Sequence, residues 1–150
     1  MFKKTAVFIL ILGICITSAK ADIKWLKDLD TALYKAKKQN KLILIYIYSP
    51  HCGYCKKMDR TTFKDKEIQE ILKKYFIPVK VDKDSPEGEM IKAEYGYLGT
   101  PTFHFLEPDG KKIKSIFGAW EKEDFLLILK YFAEGYYKKM SMTEYFMNEN

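Results

Sequence analysis

The chain has 150 residues, a length that suits one domain with a single hydrophobic core. Its formal net charge is +6, and its 26 Lys and Arg residues are mixed along the chain with 20 Asp and Glu residues. No dense basic block alternates with aromatic residues, so the composition argues against a nucleic-acid-binding protein.

The first residues have the features of a secretory signal peptide. Two lysines precede an uncharged apolar run at residues 5–16, and Ala19 and Ala21 are the small residues that a signal peptidase recognises. We therefore expect residues 1–21 to be cleaved before Asp22 and the protein to be periplasmic. The apolar run is shorter than the roughly 20 residues of a membrane-spanning helix, and an uncleaved anchor is kept as the alternative.

The first elements predicted after the signal peptide are a helix, a buried strand and a second helix. Residues 23–39 have apolar side chains at close to helical spacing. Residues 42–48 are an unbroken apolar and aromatic run, typical of a strand buried on both faces. Pro50 ends this strand, and the next helix is expected over residues 51–60.

The middle of the chain predicts a further helix, strand and helix. The helix is expected over residues 66–75 and the strand over residues 76–81, where Pro78 favours an edge position or an irregular start. Pro86 follows a serine that can cap the next helix, which should end near Gly96.

The last predicted elements are a β-hairpin and an amphipathic helix. Strands are expected at residues 102–106 and 112–117, joined by a Pro-Asp-Gly turn, and the helix at residues 122–137. The tail at residues 138–150 is polar with a few aromatic residues. It is expected either to be loosely attached to the domain or to pack against it. This order predicts an α/β domain over residues 22–137 with a mixed central sheet flanked by helices.

Cys52 and Cys55 form a Cys-x-x-Cys motif between the predicted buried strand and its helix. Signal cleavage would remove Cys15 and leave these two thiols in a compartment where disulfides form. A disulfide across so few residues removes little entropy from the unfolded chain and is a poor structural staple. The helix N-terminus would stabilise a thiolate at Cys52 for attack on a substrate disulfide, while the less exposed Cys55 would resolve the mixed disulfide.

A Cys-x-x-Cys motif can also attach haem or bind a metal ion. A haem-attachment site requires a histidine directly after the second cysteine, where this chain has Lys56. A structural zinc site requires four ligands, and cleavage would leave two cysteines with His51, next to the motif, and His104, inside a predicted strand. Metal binding therefore stays open as a weaker alternative.

Two stretches resemble the thioredoxin superfamily. The first, "KLILIYIYSPHCGYCKKMDRTTF", contains the strand, the motif and its helix; the second, "YGYLGTPTFHFLEPDGK", contains the Thr-Pro turn that the family places opposite the disulfide. The resemblance covers residues 42–132 and implies a thioredoxin fold, with Pro101 in the cis form and with Thr100 and Pro101 presenting backbone groups to the substrate.

Within the superfamily, the chain most resembles exported bacterial thiol–disulfide oxidoreductases. The stretch "TTFKDKEIQEIL" resembles the C-terminal thioredoxin-like domain of the membrane thiol reductase. Gly53 and Tyr54 are similar to the pair between the cysteines of the periplasmic disulfide isomerase. Tyr54 is expected to be exposed, where it would contact substrate or cover the second cysteine.

The chain departs from the family at one position that affects proton transfer. Cytosolic thioredoxin has a buried aspartate six residues before the first cysteine, and this chain has Tyr46. Asp59 lies four residues after the second cysteine and could serve the resolving thiol instead, or be a solvated helix residue. His51 could add positive charge beside the first cysteine when it is protonated, or simply face solvent.

Together these features predict a periplasmic protein-disulfide oxidoreductase. It would reduce or isomerise the disulfides of exported client proteins and receive electrons from a membrane thiol reductase. A monomer is expected, because too little chain precedes residue 42 for a separate dimerisation domain. The Cys52–Cys55 disulfide would be the only redox group, with no metal or other cofactor. A DsbA-like oxidase and a non-catalytic module that binds a metal or a client are the alternatives.

Overall fold

The computed structural model describes residues 22–149, so the predicted signal peptide and Cys15 lie outside the described residues. Two short 3₁₀ helices, Thr62–Lys64 and Tyr136–Lys138, accompany the regular elements of this part of the chain. In chain order those elements are α1 (Leu29–Gln39), β1 (Leu42–Tyr48), α2 (Gly53–Arg60), α3 (Lys66–Tyr75), β2 (Phe76–Asp82), α4 (Pro86–Tyr95), β3 (Thr102–Leu106), β4 (Lys112–Phe117), α5 (Lys122–Ala133) and α6 (Met142–Glu149).

The four strands form one mixed sheet in the order β2-β1-β3-β4. β2 is parallel to β1, whereas β3 is antiparallel to both β1 and β4. The register places Tyr46 of β1 beside Lys80 of β2 and Ile47 of β1 beside Thr102 of β3. The α/β class and the mixed central sheet predicted from the sequence are confirmed.

Helices cover both faces of the sheet because the side chains of β1 alternate between two cores. Ile43, Ile45 and Ile47 pack with α1 and α4 on one face. Leu44 and Tyr46 pack on the other face with α2, α3, α5 and the aromatic side chains of β3. β1 is thus buried on both faces, as its unbroken apolar run predicts.

The predicted helix at residues 23–39 is too long at its N-terminal end. α1 begins at Leu29, because the carboxylate of Asp28 accepts a hydrogen bond from the backbone N–H of Thr31 at 2.7 Å and caps the helix there. The residues before it run along the edge of β2, where the N–H of Leu26 donates to the carbonyl of Pro78 at 2.9 Å. This short bridge covers the outer edge of β2, the strand that contains the proline.

The predicted helix at residues 122–137 ends four residues early, at Ala133. Gly135 takes the left-handed conformation, with φ of 76°, which turns the chain out of the helix. Beyond this turn, the sequence had not predicted α6, which packs back onto α5. Tyr145 is 3% exposed and lies 5.4 Å from Tyr131, measured between ring centroids. The tail therefore packs against the body.

Candidate active site

The Cys-x-x-Cys motif lies where the chain leaves β1 and enters α2. Cys52 is the N-cap residue of α2, and its sulfur accepts a hydrogen bond from the backbone N–H of Cys55 at 3.1 Å. The two cysteines form a disulfide with their Cα atoms 5.3 Å apart. Cys52 is half-buried, whereas Cys55 is 1% exposed. The sulfur that another protein can reach is thus the one at the positive end of the α2 dipole.

Thr100 and Pro101 lie at the same end of the sheet as the disulfide. They directly precede Thr102, which pairs with Ile47 near the end of β1. The Thr100–Pro101 peptide bond is cis, and the Pro101 carbonyl accepts a hydrogen bond from the N–H of Gly118 at 2.9 Å. The structure thus brings together the two motifs that lie far apart in the sequence.

Exposed apolar side chains surround this end of the sheet. Tyr54 lies between the cysteines and is exposed, and Leu98, two residues before Thr100, is 80% exposed. Phe117 is exposed at the end of β4, where it pairs with Thr102. Sequence analysis did not identify Leu98 or Phe117, although the register of the predicted hairpin places Phe117 beside the residues that follow Pro101. Tyr54 is thus exposed within the motif, while Leu98 and Phe117 are exposed near the Thr100–Pro101 turn in sequence and in strand register.

Tyr46 lies beneath the buried cysteine, in the position of the missing aspartate. Its hydroxyl donates to the carbonyl oxygen of Cys55 at 3.4 Å. Burial raises the pKa of the Tyr46 phenol far above its ordinary value, and the negative charge of Asp59 raises it further. The phenol therefore stays neutral and is no proton acceptor for the resolving thiol near neutral pH.

Asp59 is held by a lysine that sequence analysis did not identify. The Lys80 ammonium group lies 2.7 Å from each carboxylate oxygen of Asp59. It also lies over two rings, 5.0 Å from the centroid of Tyr46 and 4.6 Å from that of Tyr48. The sequence offered one indication of this residue, a lysine inside a predicted strand, but only the β1–β2 register reveals which side chains are its neighbours. Asp59 is thus half of a partly buried ion pair, one helical turn from Cys55.

His51 is exposed beside Cys52, and its backbone N–H donates to the hydroxyl of Ser49 at 3.3 Å. The pKa of the nearby Asp84 carboxyl is lowered first by a hydrogen bond from Lys83 and, to a smaller extent, by His51. A positive charge on His51 would therefore act on an acidic side chain as well as on the disulfide.

The loop after β4 ties the active-site helix to the turn at Pro101. The hydroxyl of Thr62, just beyond α2, donates to the carbonyl of Trp120 at 3.0 Å. Lys57 of α2 forms an ion pair with Glu121. Because the same loop begins at Gly118, which is hydrogen-bonded to Pro101, it links both halves of the site.

Between residues 22 and 149, no three or more His, Cys, Asp or Glu side chains are grouped so that they could hold a metal ion. In the same part of the chain, every helix is too short or too polar to cross a bilayer.

Comparison with known proteins gives matches to thioredoxin-like proteins. A family model described as a thioredoxin-like domain matches residues 29–133. A solved thioredoxin from Thermus thermophilus superimposes with a TM-score of 0.66 and 29% identity, covering 73% of this chain and 86% of that one.

Two of the curated relatives illustrate that the match covers only part of their own length. UBX domain-containing protein 2 of Schizosaccharomyces pombe is 27% identical over 109 residues, which are 72% of this chain and 26% of that protein. The thiol:disulfide interchange protein DsbD of Vibrio cholerae is 30% identical over 105 residues, which are 67% of this chain and 17% of that protein. The chain therefore spans about a quarter or less of the length of these relatives.

Proposed function

The chain belongs to the thioredoxin-like domain family, and from this premise we propose that it is a periplasmic reductase of disulfides in exported proteins. It is a thiol–disulfide oxidoreductase of the thioredoxin-like type, with a disulfide between Cys52 and Cys55. The observation that carries the proposal is the unequal exposure of the two sulfurs: one is accessible at a helix N-terminus, and the other is buried behind it.

The proposed reaction passes two electrons from the dithiol to a client disulfide. The Cys52 thiolate attacks one client sulfur, forms a mixed disulfide and releases the other client sulfur as a thiolate, which takes up a proton. Cys55 then loses its proton and attacks the sulfur of Cys52. This second step breaks the mixed disulfide, releases the second client thiolate and forms the Cys52–Cys55 disulfide.

We assign substrate positioning to the turn at Thr100 and Pro101. An extended client segment would lie along this turn and form backbone hydrogen bonds to it. The exposed side chains of Tyr54, Leu98 and Phe117 would contact apolar residues beside the client cysteine. This arrangement suits an unfolded or flexible client, because its cysteine must reach the half-buried sulfur of Cys52.

We assign proton uptake from Cys55 to Asp59. Tyr46 is neutral and its hydroxyl already donates to the Cys55 carbonyl, so it leaves the resolving thiol without a base. Asp59 is the carboxylate one turn later on α2, and Lys80 keeps it on the side of the helix that faces Tyr46. His51 has a smaller proposed role: its positive charge would favour the thiolate of Cys52.

We propose a membrane thiol reductase as the electron donor and export by the predicted signal peptide as the route to the periplasm. The partial match to a thiol:disulfide interchange protein supports a role in exchange between proteins. The Gly-Tyr pair between the cysteines and Thr100 before Pro101 support reduction over strong oxidation. The clients are exported proteins that need reduced cysteines.

Equilibration of the purified protein with glutathione tests the direction of electron flow. We expect a reduction potential near that of thioredoxin, about −270 mV, together with reduction of insulin by the dithiol form. A potential near that of DsbA, about −120 mV, would make the protein an oxidant and overturn the proposal. Absence of any exchange with glutathione, together with one bound metal ion per chain, would favour a binding module instead.

A further inference from the structure

A cavity of about 410 Å³ lies at the opposite end of the sheet from the disulfide. β1 and β2 are parallel, and the cavity lies beside the first residues of β2, Phe76 and Ile77, whereas Cys52 follows the end of β1. The seven residues of β1 separate the two sites by roughly 20 Å. The cavity is therefore distinct from the proposed active site.

The cavity has an apolar floor and a basic rim. Its floor includes Ile23 and Leu26 from the segment before α1, and Phe76 and Ile77 from β2. Lysines from four different parts of the fold lie around it: Lys24, Lys35, Lys41 and Lys73.

Among residues 22–149, none of these four lysines forms an ion pair. Lys35 still acts on the carboxylate of Asp28, whose pKa is lowered chiefly by hydrogen bonding to Thr31 and to a smaller extent by Lys35. The ammonium group of Lys41 donates to the carbonyl of Lys73 at 2.7 Å, which holds it at the rim. The acidic residue of the lining, Asp22, forms an ion pair with Lys64 at 2.8 Å. The rim is thus a positive surface beside the half-buried side chains of Ile23 and Leu26, a combination that fits a ligand with an anionic head and apolar atoms next to it.

The position of Asp22 favours a membrane lipid as the ligand with an anionic head and apolar atoms. Asp22 lines the cavity, and the residues that precede it in the sequence include the apolar run at residues 5–16. Before the expected cleavage at Asp22, a leader inserted in a bilayer would place the face that contains the cavity closest to the lipid. The reactive sulfur is then at the far end of the domain, where a client can reach it.

We propose that the cavity and its four lysines form a docking face for an anionic phospholipid membrane. Headgroup phosphates would bind to the lysines, and the glycerol and first acyl carbons would pack against the half-buried side chains of Ile23 and Leu26. Each lysine near an anionic leaflet adds to the attraction, and the effect decays within a Debye length. Docking keeps the domain at the membrane with its disulfide pointing away from the lipid.

Vesicle flotation of the chain from Asp22 onwards tests this assignment. That chain contains every described helix and strand, so it includes the complete fold. At low ionic strength, we expect it to float with vesicles of phosphatidylglycerol mixed with phosphatidylcholine, but not with phosphatidylcholine alone. Replacing Lys24 and Lys73 by Gln should weaken the apparent affinity by about tenfold or more.

The matched control replaces Lys111 and Lys114 by Gln. Both are exposed lysines at the other edge of the sheet, in and beside β4, and their loss changes the net charge by the same amount. We expect this pair to keep most of the vesicle binding. Equal losses in the two pairs would show attraction by net charge alone and overturn the proposal, as would failure of the unmodified chain to bind phosphatidylglycerol vesicles.

Two further probes separate other occupants from a membrane. If vesicles do not bind, the protein is tested with inorganic phosphate and with a polyglutamate peptide. Binding of either probe that depends on Lys24 and Lys73 would then assign the face to a small anion or to an acidic protein. Insulin reduction is the independent readout. We expect both lysine pairs to leave its rate unchanged, which would show that the fold is intact whatever the vesicle result.

Discussion

Lys80 and Asp59 form an ion pair with the ammonium group 2.7 Å from both carboxylate oxygens, one helical turn beyond the buried Cys55. The pair lies against the ring of Tyr46, whose hydroxyl contacts the Cys55 carbonyl. The carboxylate that is missing beneath the disulfide is therefore replaced by a neutral phenol with a charged pair at its side.

Replacement of either cysteine by serine should separate the two proposed roles. Cys52→Ser should abolish insulin reduction, because the accessible nucleophile is lost. Cys55→Ser should accumulate mixed disulfides with clients, because the resolving thiol is lost; non-reducing gel electrophoresis detects them. Full insulin reduction by the Cys52→Ser variant would show that the roles are assigned wrongly.

Asp59→Asn should slow insulin reduction by about tenfold or more near neutral pH, because the proposed proton acceptor for Cys55 is removed. The deficit should disappear in alkaline solution, where hydroxide deprotonates the thiol directly. Stopped-flow measurement of reduction against pH checks this. A profile identical to that of the unmodified protein would remove Asp59 from the mechanism.

Lys80→Met should show a smaller change in the same pH profile, because Asp59 remains but is no longer held beside Tyr46. The stability cost should be about 1 to 3 kcal/mol, between the values for exposed and buried pairs, because Asp59 would keep a partly buried charge without its partner. Lys92→Met is the matched control, because Lys92 forms an ion pair with Glu89 on α4. We expect this control to reduce insulin with the unmodified pH profile.

The exposed Leu98, which precedes the Thr100–Pro101 turn, should affect the reduction of protein substrates more than that of small ones. Leu98→Ser should raise the KM for insulin several-fold, because Leu98 is 80% exposed two residues before Thr100 and would contact the client. Reduction of a small aromatic disulfide should be little changed. Met90→Ser is the control, because Met90 is also apolar and is 61% exposed on α4. Equal effects on both substrates would indicate a structural change rather than a lost contact.

His104 should make the domain sensitive to acid. Burial in β3 lowers the pKa of His104 to about 4, with the positive charge of Lys112 adding to the effect and the backbone of Gly96 opposing it. Between that value and the unfolded pKa of about 6.5, the unfolded chain binds a proton that the folded chain does not. Stability is therefore present above about pH 6.5 and is lost as the pH falls towards 4.

The loss should amount to about 2 to 3 kcal/mol at pH 4.5, measured by urea unfolding against a reference at pH 7.5. His104→Gln is the comparison, because glutamine does not titrate and should remove this part of the pH dependence. If both proteins lost the same stability on acidification, the acid sensitivity would come from other groups.

The C-terminal helix should contribute to stability. Tyr145→Ala should lower the free energy of unfolding by about 3 kcal/mol, because the 3% exposed ring packs against Tyr131 and α5. Met147→Ala, on the same helix but 70% exposed, should change it by less than about 0.5 kcal/mol. Urea unfolding of the two variants gives the comparison. A loosely attached tail would make both substitutions neutral.

Local patterns were enough to predict most of the elements. The bounds of α3, β3 and β4 agree with the predicted ranges, since caps, turns and the apolar period all act between residues close in the chain. The predicted elements are wrong where a contact with a residue far away in the sequence determines the local structure. Residues 23–28 have helical spacing but extend along β2, because the sheet edge offers backbone hydrogen bonds to Leu26. α6 was missed because its few apolar residues gain burial only against α5.

The sequence by itself determined the chemistry of this protein: two thiols at a helix N-terminus, a Thr-Pro turn and the order of helices and strands all follow from residue types and their spacing. Only the tertiary structure decided which groups surround those thiols. Lys80 meets Asp59 and Tyr46 through the parallel register of β1 and β2, and the basic cavity takes its lysines from four separate segments. The physical reason is that spacing along one element restricts only its own faces, whereas contacts between elements depend on strand register and packing.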